Sequence, residues 1–155
     1  MENYNQYTGL TFWAPNVNIY RDPRWGRGME TYGEDPFLSG TLGTAYVKGI
    51  QGDDPFYLKA AACGKHFAVH SGPEALRHTF NAVPTTKDLY ETYLPAFEKL
   101  VKDAKVEVIM GAYNRVYGES ASGSKFLLTD ILRNTWGFQG HIVSDCDAVR
   151  DIYAN

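Results

Sequence analysis

The chain has 155 residues, 44% hydrophobic and 21% charged, a balance that builds a buried core and argues against a disordered chain. Its formal net charge is −3 and its 15 basic residues form no run, which argues against nucleic acid or an anionic membrane surface as a partner. No apolar stretch nears the ~18 residues of a membrane span, and the N-terminal MENYNQYTG lacks the basic-then-apolar order of a signal peptide.

The elements alternate between short apolar runs and longer helical patterns. Leu10–Trp13 is a short apolar run closed by Ala14-Pro15-Asn16, which predicts a strand entering a loop. A long polar, glycine-bearing excursion from Asn16 leads to Asp35-Pro36, an N-cap followed by proline at the first helical position. Leu38, Leu42, Ala45, Tyr46 and Ile50 keep helical spacing until Gly52 stops the helix. Leu58 to Cys63 is the second predicted strand, ended by Gly64, and Ala68 to Pro84 is a second long loop. Thr86 is the expected cap of a helix whose face carries Leu89, Tyr93, Leu94, Phe97, Leu100 and Val101; Pro95 inside it should kink or split it. Val106 to Ala112 is a third strand. Ser124 or Thr129 then opens a helix through Leu128, Ile131, Leu132 and Trp136, stopped by Gly137. His141–Ser144 is a fourth strand, and it delivers Asp145.

Four strands with three intervening helices are the pattern of right-handed βαβ units on a parallel sheet. A complete eight-stranded barrel takes ~250 residues, so the expected fold is α/β, a partial (β/α)8 barrel of TIM type with about four βα units. All 155 residues are assigned to one incomplete domain. Because the first strand follows Met1 closely and the last residues lie just beyond Asp145, the chain is expected to be a piece of a longer protein. A half-barrel of this kind should expose two sheet edges.

Chemically capable residues follow each predicted strand: Arg21 to Glu34, Lys65-His66, Tyr113-Asn114, and Asp145. Strand C-terminal ends converge on the active site in parallel βα architectures, so these groups are expected to meet. Cys63 and Cys146 are too far apart for a metal or redox spacing and are expected to be buried free thiols. His66 and His70 have the i,i+4 spacing of a zinc pair, but that reading needs a helix and a third ligand, and the segment follows a strand.

The strings NVNIYRDPRWGRGMETYGEDP, GKHFAVHSGPE, GAYNRVYGE and LRNTWGFQGHIVSDCDAV resemble, in that order, the N-terminal barrel domain of family 3 glycoside hydrolases, most closely its β-glucosidase/β-xylosidase branch. The resemblance covers nearly the whole chain from Leu10. It implies hydrolysis of terminal β-linked glucose or xylose from an oligosaccharide or glycoside by a retaining mechanism, with no cofactor and no metal. By the same resemblance Asp145 is the nucleophile, and Arg27, Lys65, His66 and Tyr113 bind the sugar or line the nucleophile's pocket. Glu30, placed to touch sugar or to orient Arg27, and Met110 are further candidate contacts.

Asp147 is a competing carboxylate, expected instead to cap the next helix. Arg21 and Arg24 are expected to bridge loop carbonyls or Asp22. Trp13 and Trp25 could stack on sugar or pack in the core, and Glu74, Arg77 and His78 could shape the site or anchor their loop. The segment Ala68-Val69-His70 departs from the family's N-acetylglucosaminidase pattern. The resemblance also places an early sugar-binding aspartate upstream of Met1 and the acid/base glutamate in a C-terminal domain downstream of Asn155. Glu34 and Glu119 are acid/base candidates by residue type alone. The rival reading is an inactive barrel remnant that holds carbohydrate without cleaving it.

Overall fold

The computed structural model describes residues 8–154, so residues 1–7 and 155 of the expected domain lie outside the described part. In chain order the strands are β1 (Thr11–Phe12), β2 (Ala61–Phe67), β3 (Asn81–Ala82), β4 (Val108–Gly111), β5 (Arg115–Val116), β6 (Glu119–Ser120) and β7 (His141–Ser144). The helices are α1 (Pro36–Gln51), α2 (Thr86–Asp88) and α3 (Pro95–Lys102), with wider π-helices at Leu89–Tyr93 and Phe126–Thr135.

β1, β2, β4 and β7 form a parallel sheet in that spatial order. The order in space follows the order in sequence without reversal. A doubly wound sheet reverses at its switch point, whereas this sheet is wound in one direction as a barrel wall is. Alternation along the strands separates two faces. Ile109 joins a core with Val47, Phe97, Leu100, Leu127 and Leu132, the side covered by helices. Its neighbours Val108 and Met110 turn the other way and pack with Cys63. On the outer strand β1, Phe12 is exposed, as is Leu10 just before it.

Local chemistry explains where the elements begin and end. The Asp35 carboxylate accepts a hydrogen bond from the Leu38 amide at 2.6 Å, which opens α1, and Gly52 closes it at a φ of 77°. The second strand departs from expectation. It starts at Ala61 and runs through Gly64 to Phe67, so Lys65 and His66 lie within the strand. Gly64 does not stop it. A Cβ there would stand 2.8 Å from Leu100 and 3.1 Å from Ile109, so the glycine serves close helix–sheet packing.

Thr85, not Thr86, caps the helical segment that follows, its hydroxyl accepting from the Asp88 amide at 3.1 Å. That segment widens over Leu89–Tyr93 and restarts at Pro95, which has no N–H to give to the preceding turn. Ser124, not Thr129, opens the helical turn at Lys125 that runs into the π-helix, its Oγ accepting from the Leu127 amide at 3.3 Å. The small sheet of β3, β5 and β6 was not expected, since two-residue strands show no alternation in sequence.

The register that places Asp145 runs from Val108 opposite His141 to Gly111 opposite Ser144. Just before it stands Gly140, where a Cβ would fall 2.1 Å from the Glu107 carbonyl oxygen, a backbone atom that cannot step aside. Gly140→Ala is therefore expected to destabilise the chain by about 1–3 kcal/mol, the usual cost of overpacking. Urea unfolding checks this; a midpoint equal to that of the unsubstituted chain would show that the β4–β7 register does not depend on the approach.

Candidate active site

Asp145 directly follows β7 and is 6% exposed. Its amide donates to the Gly111 carbonyl at 3.2 Å, which continues the ladder to β4. One carboxylate oxygen, Oδ1, accepts from the Cys146 amide at 2.8 Å. The other, Oδ2, is buried without a hydrogen bond. It lies 3.3 Å from His66 Nε2 and 3.7 Å from an Arg27 guanidinium nitrogen. An unbonded buried carboxylate oxygen costs more than a bonded one, and here it faces a cation.

The Arg27 guanidinium is shared. Two of its nitrogens donate to Glu30 at 2.6 and 3.0 Å, and a third donates to His66 Nε2 at 2.9 Å. Burial works against the cation, but the Glu30 carboxylate more than offsets it and the Arg27 pKa lies above its ordinary value. Burial pushes the Glu30 carboxyl up, yet Arg27 and Lys65 prevail and hold it below its ordinary value. Lys65 Nζ stands 3.5 Å from the same carboxylate.

His66 is fully buried, and Asn18 fixes its orientation. Asn18 Oδ1 accepts from the His66 amide at 2.8 Å and from His66 Nδ1 at 2.9 Å, while Asn18 Nδ2 donates to the His66 carbonyl at 2.9 Å. An arginine can only donate, so Nε2 accepts and the network assigns the proton to Nδ1. Burial first, then the charges of neighbouring His70, Arg27 and Lys65, drives the His66 pKa well below its ordinary value.

Tyr113 lies beyond the end of β4, 5% exposed. Burial first, and the Asp145 charge second, push its phenol up to about 12, so it is a donor at neutral pH. His70 sits behind it, with ring centroids 4.8 Å from His66 and 5.4 Å from Trp25. Its Nδ1 donates to Asn114 Oδ1 at 3.2 Å, and burial brings its pKa down to about 4 against that bond. Asn114 Nδ2 reaches the carbonyls of Ala68, Val69 and Arg115, which pins the end of β2 to the loop after β4.

Asp145, Arg27, Glu30, Lys65, His66 and Tyr113 thus meet at one end of the sheet. Met110 is fully buried beside Cys63 and Val108 on the inner face, beneath them. Trp25 is buried, whereas Trp13 is largely exposed. Arg24 bonds Asp22 at 2.8 Å, and Arg21 lies over the rings of Phe80 and Tyr93.

Two expectations need correction. Cys146 is exposed and only Cys63 is buried, its thiol pushed up to about 12 by burial. Asp147 stands at the start of the following helical turn, Ala148–Ile152, at a φ of 61°, but its side chain makes no capping bond. Among the described residues, no three His, Cys, Asp or Glu side chains gather as metal ligands. Asn18 gave no sign of this role in the sequence, since a lone loop asparagine is common in turns.

A family model described as the Glycosyl hydrolase family 3 N terminal domain matches residues 7–155. A xylan 1,4-beta-xylosidase of Xylanibacter ruminicola is 57% identical over 148 residues, which is 94% of this chain and 17% of that protein. Among solved structures, a family 3 exo-beta-xylosidase in complex with a xylobiose aziridine activity-based probe is 38% identical with a TM-score of 0.89, over 94% of this chain and 20% of that one. A beta-glucosidase from Listeria innocua is 39% identical with a TM-score of 0.83, over 93% of this chain and 20% of that one. The chain therefore spans about a fifth of the length of these relatives.

The histidine pair gives a signed pH dependence. His70 is neutral when folded down to about 4, while an unfolded histidine takes up its proton near 6.5. The unfolded state then binds more protons between those values, so stability is lost as pH falls through that window, by about 3 kcal/mol from His70 alone. Histidine NMR at pH 5.5 should show both His66 and His70 neutral, with the His66 proton on Nδ1. A His66 protonated on Nε2 would contradict the network.

Proposed function

The chain belongs to glycosyl hydrolase family 3, and on that premise we propose that it carries the nucleophile side of a retaining β-glycosidase site, with Asp145 as the nucleophile. The observation that carries the reading is the unbonded Oδ2 of Asp145, buried at a strand C-terminal end and facing the Arg27 guanidinium. A nucleophile must stay ionised and keep one oxygen free, and a nearby fixed cation favours both. In the first step Oδ2 bonds to the anomeric carbon while the glycosidic bond breaks toward the leaving oxygen, which takes a proton from an acid. In the second, the same acid, now deprotonated, takes a proton from water as the water oxygen bonds to that carbon and the Asp145 carboxylate leaves.

The acid/base residue comes from outside residues 8–154, from a further domain. The carboxylate nearest the cluster, Glu30, is held below its ordinary pKa by Arg27 and Lys65 and cannot keep a proton at neutral pH. Glu30 is instead the counter-ion that orients both cations toward a sugar. Arg27 and Lys65 grip hydroxyls, His66 holds Arg27 beside the nucleophile, the Tyr113 phenol donates toward Asp145, and Met110 is the apolar floor. Two carboxyl groups suffice for this chemistry, so no cofactor enters it. The names of the relatives, xylan 1,4-beta-xylosidase and exo-beta-xylosidase, favour terminal β-linked xylose over glucose as the substrate.

In the natural full-length protein, Asp145→Gly is expected to lower kcat on an aryl β-xyloside by at least about 10³-fold, as loss of a nucleophile does. Azide should restore turnover and yield the α-xylosyl azide, while the unsubstituted protein releases β-xylose first, as followed by proton NMR. An α-anomer as first product, or an Asp145→Gly variant with undiminished kcat, would sink the proposal.

A further inference from the structure

We infer that Arg77 and His78 are positioning residues: they hold the ring of Tyr113 and so fix where its phenol stands against Asp145, an inference that rests on Asp145 being the nucleophile. The Tyr113 ring meets the His78 ring edge-on, with centroids 4.6 Å apart, and the Arg77 guanidinium carbon lies 5.5 Å from its centroid. Both are favoured geometries for an aromatic face and edge.

Each holder is itself anchored to another part of the site. His78 Nδ1 donates to Asp151 Oδ2 at 2.9 Å. Asp151 is buried in the helical turn Ala148–Ile152, which begins three residues after Asp145. Arg77 is ion-paired with Glu74, whose Oε2 accepts from the Gly26 amide at 3.2 Å, next to Arg27 in sequence. One loop therefore ties Tyr113 to the segment carrying the nucleophile and to the segment carrying the guanidinium. A tyrosine side chain has two soft torsions. With its ring held by two anchored neighbours, the phenol oxygen has one place to be, and the alignment that the chemical step needs is set before substrate arrives.

The test uses two substitution pairs in the natural full-length protein. His78→Ala and Asp151→Ala break the anchor, whereas Asp151→Asn keeps an oxygen that can accept from His78. Kinetics on an aryl β-xyloside should show kcat reduced about tenfold by either alanine with KM little changed, the mark of lost alignment without lost binding. Asp151→Asn should stay close to the unsubstituted rate. In ¹³C-tyrosine NMR the Tyr113 ring signals, identified with Tyr113→Phe, should move in both alanine variants and not in Asp151→Asn. Should His78→Ala fail to fold, the Asp151 pair decides by itself. Undiminished kcat in the alanine variants, or Asp151→Asn as slow as Asp151→Ala, overturns the clamp. If the unsubstituted protein hydrolyses no glycoside, the functional reading falls, and unmoved ring signals in Asp151→Ala would remove the clamp on separate grounds.

Discussion

Burying the Asp145 carboxylate with one oxygen unbonded costs about 1–3 kcal/mol or more for a charged group, and the Arg27 guanidinium is what offsets it. That cation could collapse onto the carboxylate as a closed, bidentate pair, which would leave no oxygen free. Glu30 prevents this by taking two of the guanidinium's nitrogens, and His66 takes a third through Nε2. Arg27 is left 3.7 Å from Asp145, near enough to stabilise charge and too far for a short hydrogen bond. Exchange of Arg27 for lysine would not preserve this, because a point charge cannot serve three partners in one plane.

The arrangement depends on segments far apart in sequence, and side-chain hydrogen bonds join them in addition to the sheet pairing. Asn18 holds His66 through three bonds, and Asn114 ties the carbonyls after β2 to the loop after β4. Glu74 joins its loop to the Arg27 segment through the Gly26 amide. The Asn18 and Asn114 links are buried or partly buried, where each is stronger than in water and each unpaired partner is more costly. The sheet supplies the frame, and the amides set the positions of the charges.

Much of this frame was legible from sequence and much of the wiring was not. Asp35-Pro36 and Gly52 bracket α1 because capping chemistry is local. Gly64 misled, because a glycine required by Leu100 and Ile109 across the helix–sheet interface looks the same in sequence as one required by a turn. The residues that follow each strand were readable as a group, since parallel strands must deliver their ends to one side. Which carboxylate would be left unbonded was not: Asp145 and Asp147 differ only in environment, and Asp145 stood out through resemblance to a family. Asn18 lay beyond reach because its meaning is its contacts, and Glu74, Arg77 and His78 were readable as a loop near the site but not as partners of Tyr113.

Covalent trapping in the natural full-length protein shows whether the free oxygen of Asp145 forms the bond to sugar. A 2-deoxy-2-fluoro xyloside with a good leaving group slows the second step and lets the glycosyl-enzyme intermediate accumulate, and peptide mass spectrometry locates it. A single added fluoroxylosyl group is expected, on Asp145. A label on Glu30, Asp147 or any other carboxylate, or none on a folded protein that turns over xylosides, would contradict it.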